Sequence, residues 1–294
     1  MESTHGAPRG ISVTAEDFGL KGPRGWAFRG VRIDAEPGAL IAVEGPSGSG
    51  RTCLLLALTG RMRPTAGQAA VGRMRLPKQL AAVRRISALG PVPGVTDLDP
   101  ALTVREQIHE RALLQRRFGD SLRSLVRPPS ERRAAMKRHV DDALEAAGLD
   151  LDALPKGPRT SVRDLERLEA LRLSVALALI GKPRLLGVDD VDLKLSDAER
   201  AEAWGLLRSV AESGTTVVAV CSEAPEGALV VSTAPAGDGR DEADATEEAD
   251  ATEEAVATEE AVATEDEHRA EADKDEDEDE TKGAADALAE TGRA

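Results

Sequence analysis

Residues 45–52 read GPSGSGRT, and the interpretation of the whole chain depends on this stretch. The phosphate-binding loop of many nucleotide-binding proteins has the pattern G-x-x-x-x-G-K-[ST]. Gly45, Gly50 and Thr52 fit that frame, but Arg51 stands where the lysine is expected. A guanidinium keeps the positive charge and can pair with phosphate, although it is planar, longer and forked. The stretch therefore predicts a phosphate site in which attraction is kept and catalytic positioning is weakened.

The segments on either side of the loop support this interpretation. PGALIAVEG (37–45) is a short apolar run bounded by glycine, as a buried strand should be. RTCLLLALTGRM (51–62) follows with a helical pattern. Strand, glycine loop and helix in this order present backbone N–H groups of a helix N-terminus to phosphate oxygens. The alternative is a glycine-rich turn that binds no ligand, and the flanking strand and helix argue against it.

The candidate site residues come from this loop and from a second predicted strand. The nucleotide-binding set is Gly45, Pro46, Ser47, Gly48, Ser49, Gly50, Arg51, Thr52 and Cys53. RLLGVDD (184–190) predicts a buried strand that ends in two acids. Thr52 and Asp189 would bind Mg²⁺, and Asp190 would polarise an attacking water. Acids also end strands as turn or cap residues, but two of them after a phosphate loop favour function.

The rest of the chain up to residue 234 alternates between predicted strands and helices. Strands are expected at 11–18, 26–34, 37–45, 84–90, 184–190, 215–221 and 227–234, and helices at 51–62, 103–118, 131–148, 161–181 and 196–214. This alternation predicts a largely parallel α/β sheet, with the first two strands in an antiparallel edge sheet. The stretch 63–72 is interpreted as turn-rich. Because 103–180 contains no predicted strand, it should form a helical insertion.

Charge divides the chain into two parts. From Asp238 to the end there are 24 acidic and 5 basic residues, whereas the other 237 residues hold 29 acidic and 33 basic ones. Residues 245–268 repeat a six-residue unit four times, beginning with ATEEAD. Few apolar side chains and many like charges cannot offset the entropy of ordering, so 235–294 is predicted to be a disordered acidic tail. The alternative is a tail that docks on a basic surface, for example between Arg111 and Arg138.

Composition also excludes several classes of protein. Cys53 and Cys221 are too few for a disulfide framework and suit a reducing cytoplasm. The polar stretch 1–10 is predicted to be a flexible N-terminus without the apolar core of a signal peptide. No apolar run approaches the ~18 residues that a membrane-spanning helix needs. The acidic tail would repel nucleic acid. We therefore expect a cytoplasmic protein that reaches the inner face of a membrane only through a partner.

In its motifs the chain resembles an ATP-binding cassette (ABC) protein, the nucleotide-binding subunit of an ABC transporter. The resemblance covers about 11–234 and rests on VEGPSGSGRTCLLLALTG, RPTAG, ALTVREQI and ALALIGKPRLLGVDD, in that order. It implies a P-loop NTPase fold with a RecA-like core, an antiparallel β-subdomain and a helical subdomain at about 103–180. It further implies ATP and Mg²⁺ as cofactors and a membrane permease as a partner. The family forms homodimers or heterodimers, with ATP between one subunit's phosphate loop and the other's signature motif.

The chain departs from the family at the residues that sense and hydrolyse ATP. The family signature LSGGQ falls where this chain has LERLE (165–169), so that Glu166 and Glu169 would bring negative charge near phosphate. Asp190 takes the place of the catalytic glutamate. Pro91 lies near the expected Q-loop glutamine, and Ser222 replaces the switch histidine.

Two further family positions are ambiguous. The D-loop aspartate is matched by Asp197 only with a shift of one residue, and the aromatic that stacks on adenine would be Phe18 or Trp26. Both aromatics are also expected in the core of the β-subdomain. Together these features predict an ATP-binding subunit with weak or absent hydrolysis. The alternatives are an active ABC ATPase that powers transport and a scaffold or regulator that no longer binds nucleotide.

Overall fold

The computed structural model describes residues 10–118 and 129–234. The disorder predicted for 235–294 and the flexibility predicted for 1–10 lie outside the described residues, apart from Gly10. Part of the basic stretch that was considered as a target for the tail lies outside them too. The boundary between a folded domain at 11–234 and a tail stays a prediction.

Within these two ranges the chain forms nine strands and six α-helices. In chain order they are β1 (Val13–Gly22), β2 (Gly25–Ala35), β3 (Leu40–Glu44), α1 (Arg51–Leu58), β4 (Ala66–Val71), β5 (Met74–Leu76), α2 (Leu80–Ile86), β6 (Ser87–Leu89), α3 (Val104–Phe118), α4 (Pro129–Ala146), α5 (Arg167–Leu179), β7 (Leu185–Val188), α6 (Asp197–Glu212), β8 (Thr216–Val220) and β9 (Leu229–Ser232). No helix in these ranges is long and apolar enough to cross a bilayer.

A parallel sheet in the order β6-β7-β8-β3-β9 forms the centre of the fold. Strands β3, β7 and β8 are almost continuously apolar and buried, as expected for parallel strands that are covered on both faces. One apolar cluster packs α1 against one side of this sheet, and a second cluster packs α5 and α6 against other sheet residues. Trp204 of α6 is buried in the second cluster.

A second, antiparallel sheet has the strand order β2-β1-β4-β5. Its buried side chains belong to the same apolar cluster as those of α1. Helices α3, α4 and α5 pack around a third apolar cluster that includes Val104, Ala143 and Leu173. The predicted α/β architecture, with an antiparallel sheet and a helical part, is therefore confirmed.

Four local predictions were wrong. Helix α5 begins at Arg167 rather than residue 161, because Val162–Asp164 forms a 3₁₀ turn and Glu166 caps the helix. The stretch 63–72 contains strand β4, and only Ser87–Leu89 of the predicted strand 84–90 is extended. Helix α1 ends at Leu58 rather than at residue 62. Just after it, Gly60 adopts a left-handed φ of 76°, and its Cα packs closely against the backbone of Leu80.

Candidate functional site

The loop at 45–50 joins the carboxyl end of β3 to the first turn of α1. Gly48 and Gly50 adopt left-handed φ angles of 82° and 78°. Gly50 is the N-cap of α1, no side chain caps this helix, and no acidic residue lies in its first turn. The first N–H groups of α1 therefore remain available to an external anion, which the helix dipole also favours.

Two of the glycines are required by close contacts. A Cβ on Gly50 would lie 2.0 Å from the Ala27 carbonyl oxygen, so the backbone of β2 lies directly against the loop. A Cβ on Gly45 would lie 2.5 Å from the Thr233 hydroxyl oxygen, and this hydroxyl is also 2.6 Å from the Ser49 hydroxyl. Gly48, by contrast, has no atom within 4 Å of the place of a Cβ. The loop is thus fixed by β2 on one side and by the end of β9 on the other.

The predicted metal ligands Thr52 and Asp189 lie together. The Thr52 hydroxyl donates a hydrogen bond to Oδ2 of Asp189 at 2.7 Å. Asp189 is buried, with 3% of its surface exposed, and burial raises the pKa of its carboxyl group. The bond from Thr52 opposes that rise, and the charge of Asp190 adds to it. A hydroxyl and a buried carboxylate beside a phosphate loop are the oxygen ligands that Mg²⁺ takes together with phosphates, so these residues fit the ion.

Asp190 follows at the end of β7 in a strained conformation. It is half-buried with a left-handed φ of 49°, and its N–H donates to Oδ1 of Asp189 at 3.1 Å. The carbonyl of Pro91, at the expected glutamine position, accepts a hydrogen bond from the Asp189 N–H at 2.9 Å. The backbone of Pro91 therefore lies beside the two acids.

The sequence analysis missed Asp192. Its carboxylate is buried and accepts hydrogen bonds from the N–H groups of Ser222 at 2.8 Å and Glu223 at 3.3 Å. The N–H of Val191 adds a bond to the Val220 carbonyl at 3.0 Å. Asp192 therefore holds the turn after β8, where Ser222 lies. The one sign of this role in the sequence is that Asp192 is the third acid of the stretch DDVD.

Arg51 makes a contact that the motif does not predict. Its Nη1 donates to the Cys221 carbonyl at 2.6 Å, so the side chain reaches from α1 to the end of β8. Burial, together with the charges of Asp192 and Glu44, raises the pKa of the Cys221 thiol to about 12. Cys53, the last residue of the predicted nucleotide-binding set, packs its side chain partly against the core, and burial raises the pKa of its thiol.

The two candidate aromatics have different surroundings. Phe18 is fully buried and packs on Phe28 with ring centroids 5.6 Å apart, as expected for a core residue. Trp26 was also expected in the core, and that prediction is wrong, because 44% of its surface is exposed. The Lys21 ammonium lies 6.0 Å from the centre of its ring. Trp26 directly precedes Ala27, whose carbonyl contacts Gly50, so its backbone is close to the loop.

Helix α5 begins where the resemblance places the family signature, and carboxylates of the chain itself lie at its N-terminus. Glu166 and Glu169 form a capping box, in which the Glu169 carboxylate accepts the N–H of Glu166 at 2.9 Å. The N–H of the N-cap residue is thus satisfied by a carboxylate of its own chain, and two carboxylates lie at this end of the helix. An external phosphate would meet negative charge there.

Comparison with known proteins shows which family this chain resembles in sequence. The family model described as ABC transporter matches residues 28–192. ABC transporter G family member 13 from Arabidopsis thaliana is 32% identical over 215 residues, which are 71% of this chain and 28% of that protein. Nod factor export ATP-binding protein I from Rhizobium etli is 28% identical over 182 residues, which are 62% of this chain and 51% of that protein. The chain thus spans between about a quarter and about half the length of these relatives.

Solved structures show the same fold. A dimeric ATP-binding cassette in a post-hydrolysis state, bound to ADP and Pi, superposes with a TM-score of 0.54 and 21% sequence identity. The match covers 72% of this chain and 88% of that one. At this identity the likeness concerns the fold alone.

Proposed function

This chain belongs to the ABC transporter family, and from that premise we propose that it is an ATP-binding subunit with weak or absent hydrolysis. It binds MgATP at the loop 45–53 and acts with a membrane permease and a second ATP-binding subunit. The proposal that the chain binds MgATP rests on one observation. The Thr52 hydroxyl and the Asp189 carboxylate form a hydrogen bond of 2.7 Å beside an uncapped helix N-terminus.

Each residue of the loop has a defined task in this proposal. The N–H groups at the start of α1 hold phosphate oxygens, and Arg51 adds positive charge at the same end of the helix. Thr52 and Asp189 hold Mg²⁺, which neutralises charge on the phosphates when it is bound. The exposed ring of Trp26 offers a face on which the adenine base stacks.

The proposal of weak hydrolysis rests on residues that surround this loop. Asp190 is one methylene shorter than glutamate, so its carboxylate reaches less far toward an attacking water. Pro91 and Ser222 offer no amide or imidazole side chain to the γ-phosphate. Positioning the water and stabilising the charge act together, so losing several of these groups costs orders of magnitude in rate.

The proposed partners follow from the difference between the N-terminus of α5 and the loop at 45–53. The capping box of α5 disfavours a second chain's γ-phosphate, whereas the loop at 45–53 remains open to nucleotide. A heterodimer in which the other subunit supplies an intact signature motif would therefore have one composite site. The matched relatives are named as a transporter and an export protein, and the matched cassette is dimeric, which supports a permease and a second subunit at the inner face of a membrane.

Isothermal titration of the full chain with MgATP tests the binding half. We expect micromolar affinity that falls at least tenfold in Arg51→Ala and in Asp189→Asn. Tryptophan emission provides a second readout, because Trp26 is exposed and Trp204 is buried. Nucleotide should quench the emission of the wild type and leave that of Trp26→Phe unchanged.

Phosphate release distinguishes the remaining alternatives. Robust Mg²⁺-dependent turnover that Asp190→Asn abolishes would support an active ATPase and overturn the proposal of weak hydrolysis. Absence of both heat and quenching, with and without Mg²⁺, would favour a scaffold or regulator. One contact favours that alternative: Arg51 is held by the Cys221 carbonyl.

A further inference from the structure

A cavity of about 210 Å³ lies between helix α5 and two segments that follow strands of the parallel sheet. One wall consists of side chains of α5, and the facing walls come from 91–98, after β6, and from 189–195, after β7. An engineered apolar cavity of about 150 Å³ holds a benzene molecule. This cavity, which we call the α5 cavity, therefore has room for a small organic ligand.

The wall on α5 is one side of that helix. Arg167, Ala170, Leu171 and Ser174 line the cavity, and their spacing of i, i+3, i+4 and i+7 places them on one face. This face begins with a charged side chain at the first turn, continues with apolar ones and ends with a hydroxyl. A ligand along it would meet these three kinds of group in that order.

Most of the inner lining is apolar. Leu171, Val191 and Leu195 are buried side chains that line the cavity from two of its walls. Val162 and Leu98 line it as well. The part of a ligand that enters deepest should therefore be a hydrocarbon group.

Ser174 is a buried polar residue of this lining whose hydroxyl lacks a partner. Only 7% of its surface is exposed. Its side chain makes no hydrogen bond to any group in residues 10–118 and 129–234. Buried hydroxyl groups are nearly always bonded, because an unmade hydrogen bond costs free energy. A polar atom of a ligand in the cavity would supply the missing bond.

Two opposite charges line the cavity without pairing. Arg167 lies on the α5 wall and Asp190 on the facing wall. Within the described part of the chain, neither side chain forms an ion pair or a hydrogen bond, with the other or with a third residue. The other two acids of the lining differ, since Asp189 accepts from Thr52 and Asp97 accepts from the Gly94 N–H at 2.8 Å.

We propose that the α5 cavity binds a small zwitterion with an apolar side chain, which is the chemical class of a free apolar amino acid. Its ammonium group pairs with Asp190, and its carboxylate pairs with the forked guanidinium of Arg167. Its side chain packs against Leu171, and Ser174 gains a partner in the same ligand. A simple organic cation would leave Arg167 unpaired, and a simple anion would leave Asp190 unpaired and lie close to Asp189.

The inference does not rest on nucleotide binding. Every residue of the loop 45–53 is described, and none of them lines the cavity. The ligand can therefore be tested on the full chain without nucleotide. A wild type that binds the amino acid but not MgATP would overturn the proposed function and support this inference.

Two series of matched probes test the inference by isothermal titration. In the first, 3-methylbutylamine lacks the carboxylate of L-leucine, and 4-methylpentanoate lacks its amine. In the second, 2-phenylethylamine and 3-phenylpropanoate relate to L-phenylalanine in the same way. We expect the amino acid of at least one series to bind at least tenfold more tightly than its amine and its acid.

Two results of these titrations would overturn the inference. One is the absence of heat with both amino acids at 10 mM. The other is an amine that binds as tightly as its amino acid, which would assign the cavity to organic cations. An acid that binds as tightly as its amino acid would contradict the role of Asp190 in the same way.

Substitutions on α5 and just before it locate the site. Arg167→Ala should weaken the amino acid at least tenfold and leave the amine nearly unchanged, because only the carboxylate loses its partner. Arg163→Ala is the control, since Arg163 is also exposed, donates to the Ser161 hydroxyl at 3.3 Å and does not line the cavity. Equal losses in the two variants would show general attraction and contradict the inference.

Ala170→Leu tests the cavity itself by placing a larger side chain in it. This variant should lose the binding of the amino acid while its thermal unfolding stays close to that of the wild type. Ser174→Ala keeps the volume nearly unchanged and should weaken binding about threefold to tenfold, which provides a second readout if Ala170→Leu does not fold. Undiminished binding in folded Ala170→Leu, or in Ser174→Ala, would place the amino acid elsewhere and overturn the inference.

Discussion

The N-termini of α1 and α5 use the same backbone groups in opposite ways. At α1 the cap is Gly50, no side chain covers the terminal N–H groups, and the first turn contains no acid. At α5 the cap is Glu166, and the Glu169 carboxylate returns to its N–H. Both helices present a positive dipole end, but only the first leaves it open to an external anion.

This difference separates what holds a helix in the fold from what lets its end bind a ligand. A capping box satisfies N–H groups at a helix end, so α5 needs no external anion there to keep its place in the fold. At α1 the glycines cannot be exchanged in this way, since Gly45 and Gly50 are fixed by contacts with Thr233 and Ala27. Substitutions at the two helix N-termini test this difference.

The largest effect is expected from Gly50→Ala at the open end. The new Cβ would lie 2.0 Å from the Ala27 carbonyl at a left-handed φ, so the loop and β2 must move apart. We expect MgATP affinity to fall more than a hundredfold and the Tm to fall with it. Isothermal titration and thermal unfolding measure both.

Gly48→Ala is the matched control for this prediction. Its φ is also left-handed, but nothing lies within 4 Å of the added atom. It should cost only the conformational strain of about 1 kcal/mol and keep most of the affinity. Equal losses in both variants would show that β2 does not shape the loop.

The second effect concerns Asp189 and depends on pH. Burial raises the folded-state pKa of this carboxyl group, so the folded protein holds the proton more tightly than the unfolded chain. The ionised group therefore lowers stability above the folded-state pKa, and this loss disappears as the pH falls below the unfolded-state value. We expect Asp189→Asn to raise the Tm by a few degrees at pH 7.5 and by less near pH 4.

The same substitution should weaken MgATP about tenfold to a hundredfold and leave ATP without Mg²⁺ nearly unchanged. In the wild type, MgATP affinity should fall as the pH falls and Asp189 takes up a proton. Asp190→Asn, as the control, should change the affinity less than threefold. A Tm that drops in Asp189→Asn at pH 7.5 would contradict the assignment of a destabilising buried charge.

Much of the fold could be predicted from the sequence because its signals are local. The apolar runs of β3, β7 and β8 and the capping residue Ser196 of α6 depend on neighbouring residues only. The start of α5 was misplaced because the apolar pattern continues through the 3₁₀ turn before it. Strand β4 was missed because AGQAAV has few β-branched or aromatic residues and is held by pairing with β1.

The parts of the site that the sequence did not predict depend on distant residues. The contact of Arg51 with the Cys221 carbonyl joins positions 170 residues apart, and that of Asp192 with Ser222 joins positions 30 apart. The exposure of Trp26 depends on how the β1–β2 hairpin lies on the core. A motif gives the type of residue at each place, but it does not give the direction in which a long side chain points.

The third effect is expected at the N-terminus of α5, where Glu166 and Glu169 form the capping box. Glu166→Ser with Glu169→Gln keeps a capping box in its usual S-x-x-Q form, so stability should change by less than about 1 kcal/mol. It removes two negative charges from the position of the signature motif. With MgATP, and with Asp190→Asn present to suppress turnover, we expect this variant to self-associate at least fivefold more tightly than its parent in sedimentation velocity.

Glu199→Gln is the control for the closed end, because Ser196 and Glu199 form the same kind of capping box on α6. It should leave self-association unchanged. If the parent chain already dimerises with MgATP as tightly as the double variant, the carboxylates of α5 are not what keeps two copies apart.

The smallest effect is expected from Arg51→Lys, which restores the lysine of the motif at the open end. Lysine is shorter than arginine and ends in a single point charge, so it should leave the Cys221 carbonyl and turn toward the phosphates. We expect MgATP to bind about twofold to fivefold more tightly, and phosphate release to stay at the level of the parent, because Asp190, Pro91 and Ser222 are unchanged. Weaker binding in Arg51→Lys would mean that the guanidinium itself clamps the phosphates. The open end would then be a site adapted to arginine, whereas tighter binding would make it an ordinary phosphate loop partly restrained by its own side chain.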